Sequence, residues 1–161
     1  MRSAVCLLWA VLLGTALVRA QSSHGYVFIA PGGVSGGGAT QAALHGGGGF
    51  EALVWRRWAG VGAEAGWIGP IRRLGSGVGT VSPNGYFHFG GDRARGIDPF
   101  ATAGYSMFFR RETESLFNFG AGLNWWVRDN VGLKFEFRDH VNPERRTTAH
   151  FWGFRFGVTF R

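Results

Sequence analysis

The sequence predicts an all-β protein, an eight-stranded antiparallel up-and-down transmembrane β-barrel. Three observations support this prediction: an apolar leader, about eight segments in which apolar and polar residues alternate, and an aromatic final segment. Successive side chains of a β-strand point to opposite faces, so such alternation gives each segment one apolar face and one polar face. Segments of this kind in an exported chain are typical of membrane barrels.

Residues 1–20 have the features of a cleaved signal peptide. Arg2 supplies a positive charge, residues 4–18 form an apolar stretch, and Ala20 precedes the expected cleavage site. This stretch is shorter than the roughly 20 residues of a membrane-spanning helix, so we expect removal rather than anchoring. The mature barrel domain is then 21–161. It has no cysteine, because Cys6 is the only one in the chain, and therefore no disulfide framework.

The composition argues against an ordinary soluble domain. Charged residues make up 17% of the chain, compared with about 25% in typical soluble proteins, while aromatic residues reach 16%. The net charge is +7, or +5 once Arg2 and Arg19 are removed with the leader. The arginines occur as scattered pairs and not as the clustered basic stripe of a nucleic-acid-binding protein. We therefore expect no nucleic-acid partner.

Eight segments have strand character, and most reach the roughly 9–11 residues of a membrane strand. They lie near residues 24–30, 46–55, 58–68, 77–89, 98–109, 116–127, 130–140 and 149–161. The last segment shows the pattern most clearly. Its apolar face carries His150, Trp152, Phe154, Phe156, Val158 and Phe160, and its other face carries Phe151, Gly153, Arg155, Gly157, Thr159 and Arg161.

The connections alternate in length. Short turns are expected at Arg56–Arg57 and Arg128–Asp129, and a longer one at Gly90–Asp98. The other connections are expected to be longer loops, at Pro31–Leu44, Gly69–Ser76, Arg110–Ser115 and Val141–Thr148. Membrane barrels have short periplasmic turns and longer outer loops, which places the termini on the periplasmic side. The glycine-rich run 32–38 is expected to be a mobile outer loop.

The polar faces predict a charged barrel interior. Three acidic and three basic residues share these faces: Glu51, Glu64, Glu136, Lys134, Arg138 and Arg155. Buried charges persist when they are paired, and this set is balanced. A soluble barrel would place the aromatic face inside, but its outer face would then carry too few charges for solubility. Five tryptophans near segment ends suit aromatic girdles at a membrane surface: Trp55, Trp58, Trp67, Trp125 and Trp152.

Two segments carry a family resemblance. Residues 132–139 (GLKFEFRD) and 155–161 (RFGVTFR) resemble the last two strands of the small OmpA- and OmpX-like outer-membrane β-barrels. The resemblance implies an outer-membrane location and an assembly signal at Phe156, Gly157 and Phe160, read by the barrel assembly machinery. Family members usually end on an aromatic residue, whereas Arg161 follows Phe160 here. Such barrels include adhesins, structural proteins and enzymes, so the resemblance specifies the fold more than the function.

The sequence favours a non-enzymatic structural or surface-interaction protein with a lumen plugged by side chains, because eight strands enclose an interior that side chains fill. One alternative is a narrow pore for small solutes, gated when Glu136, Arg138 and Arg155 exchange partners. Another is a lipid-modifying enzyme that uses Ser106, Asp139 and His140. Adjacent strand residues point to opposite faces, so we expect His140 to be a polar residue near a loop.

The expected partners are outer-membrane lipids, and the protein is expected to be a monomer. Lipopolysaccharide phosphates could bind the loop arginines, since guanidinium groups bind phosphate in a bidentate manner. These are Arg72, Arg73, Arg110, Arg111, Arg145 and Arg146. No metal or cofactor is expected, because the histidines lack the spacing of a zinc motif and the glycine run 46–49 lacks the partners of a phosphate loop.

Overall fold

The computed structural model describes residues 23–36, 38–55, 57–90, 96–110, 112–142 and 149–161. Within these ranges the chain forms a closed barrel of eight antiparallel strands, each paired with its neighbours in sequence, and the last strand pairs with the first. The predicted fold class is confirmed. The predicted signal peptide, residues 1–20, lies outside the described residues.

The strands cover most of the described chain. They are β1 (Ser23–Gly36), β2 (Ala39–Val54), β3 (Ala59–Pro70), β4 (Val78–His88), β5 (Ile97–Phe109), β6 (Thr113–Trp126), β7 (Val131–Asn142) and β8 (Ala149–Phe160). A 3-10 helix spans Ile71–Ser76 between β3 and β4. Within the described ranges, no helix is long and apolar enough to cross a membrane. We call the end where β1 begins and β8 ends the terminal end, and the opposite end the loop end.

The two faces of the barrel wall differ sharply in chemistry. In β8, Phe154 and Phe156 are about half exposed on the outside, whereas Arg155 between them is buried inside. The same alternation in β7 places Phe135 and Phe137 outside and Glu136 inside. Aromatic and aliphatic side chains therefore cover the outer surface, and the lumen contains the charged and polar side chains together with some apolar ones, such as Phe100 and Leu116. This is the orientation that the sequence pattern predicted.

The expected loop at Pro31–Leu44 is wrong. Strand β1 continues to Gly36 and β2 begins at Ala39, so these residues form a paired hairpin with Gly38 at a positive φ of 85°. The glycines allow this pairing. A β-carbon at Gly32 would collide with the backbone carbonyl of Trp152 on β8, so only glycine fits where the two strands approach closely. Residues 32–36 of the run that suggested a mobile loop are instead part of the barrel wall, and residue 37 lies outside the described residues.

Other boundaries also move toward longer strands. Strand β6 begins at Thr113 and β7 continues to Asn142, so the expected loops Arg110–Ser115 and Val141–Thr148 are shorter than predicted.

The turn after β2 is wider than Arg56–Arg57, because β2 ends at Val54 and β3 begins at Ala59. Two residues of this turn, Trp55 and Arg57, adopt positive φ values of 44° and 64°. Residues 91–95 and 143–148 lie outside the described residues.

Candidate functional site

The six charged residues that the sequence placed inside the barrel all lie in the lumen. Each is at most 3% exposed. They come from β2, β3, β7 and β8 and are Glu51, Glu64, Lys134, Glu136, Arg138 and Arg155. The structure divides them between two layers. Five form a central cluster, defined as Glu64, Lys134, Glu136, Arg138 and Arg155, whereas Glu51 lies nearer the terminal end among residues that the sequence analysis did not select.

Glu64 accepts hydrogen bonds from three lumen residues and lies at the centre of the central cluster. Arg155 donates from Nη1 to Glu64 Oε2 at 2.7 Å and from Nη2 to Glu64 Oε1 at 2.9 Å. Arg138 Nη1 lies 3.4 Å from Oε2, and the Tyr26 hydroxyl donates to the same oxygen at 3.1 Å. Strand β3 thus reaches across the lumen to β7 and β8, with which it does not pair. Charge-assisted bidentate pairs of this kind are strong and geometrically specific.

Glu136 completes the balance of charge at the centre. Arg138 Nε donates to Glu136 Oε1, and Arg155 Nη1 lies 3.9 Å from that oxygen. The second carboxylate oxygen, Oε2, lies 3.6 Å from Lys134 Nζ. Glu64 is therefore shared between two cations and Glu136 among three. Since unpaired buried charge is costly, this sharing joins β3, β7 and β8 across the lumen.

Aromatic rings surround the ammonium group of Lys134. Nζ lies 3.8 Å from the ring centroid of Phe100, 4.8 Å from that of Tyr26 and 5.5 Å from that of Tyr86. The two tyrosine hydroxyls are 2.9 Å apart. The electron-rich ring faces stabilise the cation and also close the space around it. This aromatic layer separates the central cluster from the polar residues of the terminal end.

A terminal cluster, defined as His24, Glu51, His88 and Asp98, was not predicted as a unit. His88 Nε2 lies 2.6 Å from Glu51 Oε1, and its Nδ1 lies 2.9 and 3.0 Å from the two oxygens of Asp98. His24 Nε2 lies 3.3 Å from Glu51 Oε2. The alternation in β1, β2, β4 and β5 places each of these residues on the inward face of its strand, and this could have been predicted. Their contact with one another could not, because they are far apart in the sequence.

A loop-end cluster, defined as His45, Ser106, Asn118 and His140, fills the lumen beyond the central cluster. Ser106 Oγ lies 3.0 Å from His140 Nδ1 and accepts a hydrogen bond from Asn118 Nδ2 at 2.9 Å. His140 lies two residues before the end of β7, near the loop end as expected, but its side chain points into the lumen and is 1% exposed.

The residues considered for an enzyme do not form a Ser-His-Asp set. Ser106 and His140 do meet, but Asp139 points outward and lies 2.7 Å from His150 Nδ1 on β8. The free side of the His140 ring, Nε2, lies 3.4 Å from the Arg155 guanidinium, where a triad requires a carboxylate. Ser106 is fully buried as well. Within the described residues, no group of three or more His, Cys, Asp or Glu side chains could hold a metal ion.

Glycines make room for the lumen side chains. A β-carbon at Gly60 would collide with Glu51 Oε1, and one at Gly66 would lie 3.0 Å from His45 Nε2. The side chains then pack tightly. An enclosed cavity of about 10 Å³ lies among His45, Arg138, His140 and Arg155, close to the volume needed for one water molecule.

The closing strand carries the three residues predicted as an assembly signal. Phe156 and Phe160 are about half exposed on the outer face, and Gly157 pairs with Phe28 of β1. Arg161, which follows the aromatic residue on which the resembled proteins usually end, makes two contacts of its own. The Arg161 guanidinium lies 3.8 Å from the ring centroid of Trp126, and its backbone N–H donates to the Asn130 carbonyl at 3.2 Å.

No family model and no curated protein sequence matches the chain, but solved structures do. The N-terminal β-barrel domain of Pseudomonas aeruginosa OprF aligns with a TM-score of 0.64 at 18% identity, over 86% of this chain and 95% of that one. Neisserial surface protein A aligns with a TM-score of 0.67 at 11% identity, over 86% and 96%. The fold is that of the small outer-membrane β-barrels. Pseudomonas aeruginosa OprG also aligns, with a TM-score of 0.58 at 10% identity over 86% and 94%. Because all three identities are low, the likeness is one of fold.

Proposed function

We propose that this chain is a non-enzymatic outer-membrane protein with a structural or surface-interaction role and a lumen plugged by its own side chains. The observation that carries the proposal is the clamp of Arg155 and Arg138 on Glu64 across the middle of the barrel. The tight packing beside it supports the same conclusion, because a conducting pore needs a continuous water-filled path.

The outer surface supports the membrane location. Large apolar side chains are exposed on strands of both halves of the barrel, for example Val61 at 57% and Phe119 at 51%. Such a surface in water would be an aggregation hazard, whereas lipid accepts it. The tryptophans of the predicted girdles lie toward both ends of the strands. Trp55, Trp58 and Trp125 are near the terminal end, and Trp67 and Trp152 are toward the loop end.

The proposed partners follow from this location. Outer-membrane lipids contact the apolar belt, and the assembly machinery reads the closing strand as the protein inserts as a monomer. Lipopolysaccharide phosphates would meet the exposed Arg72, Arg73 and Arg110 at the loop end. Arg110 Nη1 donates to the Ser76 carbonyl at 3.0 Å, which holds two of these connections together. The other loop arginines of the prediction, Arg111, Arg145 and Arg146, lie outside the described residues.

Planar-bilayer recording of the refolded protein tests the proposal. We expect no discrete current from the wild type at neutral pH, and channels from a plug variant with Glu64→Ala, Arg138→Ala and Arg155→Ala. Ala103→Ser is the matched control, because it changes an outward side chain and leaves the lumen untouched. Discrete channels in the wild type would overturn the proposal in favour of the narrow pore. A change in lipid A mass when the protein is expressed would overturn it in favour of a lipid-modifying enzyme.

A further inference from the structure

The terminal cluster holds a proton that hydrogen-bond geometry requires. His88 lies between two carboxylates, with Glu51 Oε1 at 2.6 Å from Nε2 and Asp98 Oδ2 at 2.9 Å from Nδ1. An ionised carboxylate only accepts hydrogen bonds, and a neutral imidazole donates from one nitrogen only. Both contacts can therefore be hydrogen bonds only if a proton lies between the nitrogen and the oxygen in each of them. With both carboxylates ionised, His88 is an imidazolium.

The charge of the lumen requires the same proton. Among the described residues, four buried carboxylates face the lumen: Glu51, Glu64, Asp98 and Glu136. The permanently basic side chains buried with them are Lys134, Arg138 and Arg155. One further positive charge balances this set, and a protonated His88 supplies it next to the two carboxylates that the arginines do not contact.

The histidines of the loop-end cluster have the opposite requirement. Arg155 Nη2 lies 3.4 Å from His45 Nδ1 and 3.4 Å from His140 Nε2. A guanidinium only donates, and Nη2 already gives one of its two protons to Glu64 Oε1. The two imidazole nitrogens can share its second proton only if both are unprotonated acceptors. The remaining ring nitrogens face hydroxyl oxygens, with His140 Nδ1 at 3.0 Å from Ser106 and His45 Nε2 at 3.4 Å from Thr80. Both rings are therefore neutral, each with a single proton.

We propose that the plug is a two-sided pH-sensitive device, closed only while His88 is protonated and His45 and His140 are neutral. This inference rests on the proposed function, since it describes the regulation of the same plugged lumen. Loss of the His88 proton at alkaline pH removes one of the two hydrogen bonds that join Glu51 and Asp98 through His88, and it leaves the terminal half with an uncompensated negative charge. Gain of a proton by His45 or His140 at acidic pH places a cation against Arg155 in the loop-end half. Each change creates buried like charge or unpaired charge, which loosens that half.

The groups packed around each histidine keep the two responses separate. Around His88, Glu51 comes from β2 and Asp98 from β5, and His24 of β1 reaches the far oxygen of Glu51. The Phe100 ring lies 5.9 Å from that of His88.

His140 is surrounded by a different set. Ser106 of β5 and Arg155 of β8 contact its two nitrogens, and Asn118 of β6 donates to that same serine. The His45 ring of β2 lies 5.7 Å away. The charged groups near this pair are Arg155, Arg138 and Glu64 of the central cluster. Arg155 lies within hydrogen-bond distance of both histidines and of Glu64, so it links the loop-end response to the central clamp.

Imidazole 15N NMR of the refolded protein in lipid nanodiscs tests the proton states directly. At pH 7 we expect His88 to carry protons on both nitrogens, His45 on Nε2 only and His140 on Nδ1 only. Each signal is assigned by its loss in His88→Gln, His45→Gln or His140→Gln. The inference is overturned if His88 shows one protonated nitrogen at pH 7, or if His45 or His140 shows two. Neither result depends on whether the barrel conducts, so failure of the plug proposal remains distinguishable.

Denaturant unfolding between pH 4 and pH 10 tests the consequence. We expect wild-type stability to fall on both sides of neutrality. His88→Gln raises the unfolding equilibrium constant at pH 7 by the order of a hundredfold and removes the alkaline fall, since it leaves buried carboxylates unpaired. The His45→Gln, His140→Gln double variant reduces the acid fall. Ala103→Ser, which changes an outward side chain and no titratable group, is the control and follows the wild type. Identical pH profiles for wild type and His88→Gln would overturn the inference.

Discussion

Arg155 and Glu64 form a bidentate pair across the barrel, with nitrogen–oxygen distances of 2.7 and 2.9 Å, although their strands are not neighbours in the sheet. The Arg155 guanidinium also lies 4.2 Å from the ring centroid of Phe28. Pairing between adjacent strands builds the wall of a barrel, but it places nothing across the lumen. The Arg155–Glu64 pair crosses the lumen. The proposed plug and much of the balance of buried charge therefore depend on Arg155.

Loss of Arg155 is expected to destabilise the barrel strongly. Arg155→Met keeps much of the side-chain volume but leaves Glu64 with the longer contact to Arg138 and the hydrogen bond from the Tyr26 hydroxyl. Removing one partner of a buried ion pair costs about 3–5 kcal/mol, so the free energy of unfolding should fall by about that amount. Urea unfolding in lipid bilayers, followed by tryptophan fluorescence, measures this change.

The paired variant distinguishes lost charge compensation from lost packing. Glu64→Gln combined with Arg155→Met removes both charges, and we expect it to be more stable than Arg155→Met alone. If the double variant is less stable than the single one by the full cost of Glu64→Gln, the two residues are not coupled. The description of Arg155 as the partner that Glu64 requires would then be wrong.

Gly60 is expected to be required for the position of Glu51. A β-carbon there would collide with Glu51 Oε1, so Gly60→Ala must displace the carboxylate that His88 contacts. Overpacking of this kind costs about 1–3 kcal/mol. Gly85→Ala is the matched control, because its added β-carbon would meet only the Ala103 carbonyl at 3.8 Å. Equal unfolding midpoints for the two variants would show that Glu51 is not tightly constrained.

Phe160 is expected to be needed for membrane assembly. Phe160→Ala removes the last aromatic side chain of the closing strand, and we expect less protein to reach the outer membrane. Phe109→Ala is the control, because Phe109 is also outward and is 43% exposed, compared with 48% for Phe160. Quantitative blotting of outer-membrane fractions measures the effect. Equal losses for both variants would indicate general instability and not a signal in β8.

A closed barrel is expected to resist dodecyl sulfate until it is heated. Because β1 pairs with β8, no strand edge is free for unfolding to begin. Unboiled and boiled samples should therefore migrate at different positions on a gel. Identical migration, combined with no β-type circular dichroism in detergent, would contradict the closed architecture.

The alternation of residues was enough to predict the barrel and which face of each strand points inward, because a two-residue period leaves only two choices. Arg155 and Glu136 could be placed in the lumen on that basis alone. Strand ends were harder to predict. The glycine-rich run 32–38 suggested a loop, yet Gly32 and Gly33 allow β1 and β8 to approach closely, a tertiary requirement that the local sequence does not reveal.

The terminal cluster could not be assembled from the sequence for a different reason. His88 ends β4, and Asp98 lies ten residues later, near the start of β5. Glu51 lies on β2, two strands from β4. Which inward residues share a level depends on the register between strands, and a shift of one position would separate them. The contact of His140 with Ser106 depends on register in the same way, since β5 and β7 do not pair directly.

The claim that the apolar face contacts lipid is tested most directly by spin labels on the outer surface. The predicted mature chain lacks cysteine, so Ala103→Cys and Ala121→Cys each place one label at an outward, mid-strand position. In lipid bilayers we expect high accessibility to oxygen and low accessibility to a water-soluble nickel chelate at both positions. High accessibility to the nickel chelate at both would place this face in water and contradict the membrane barrel.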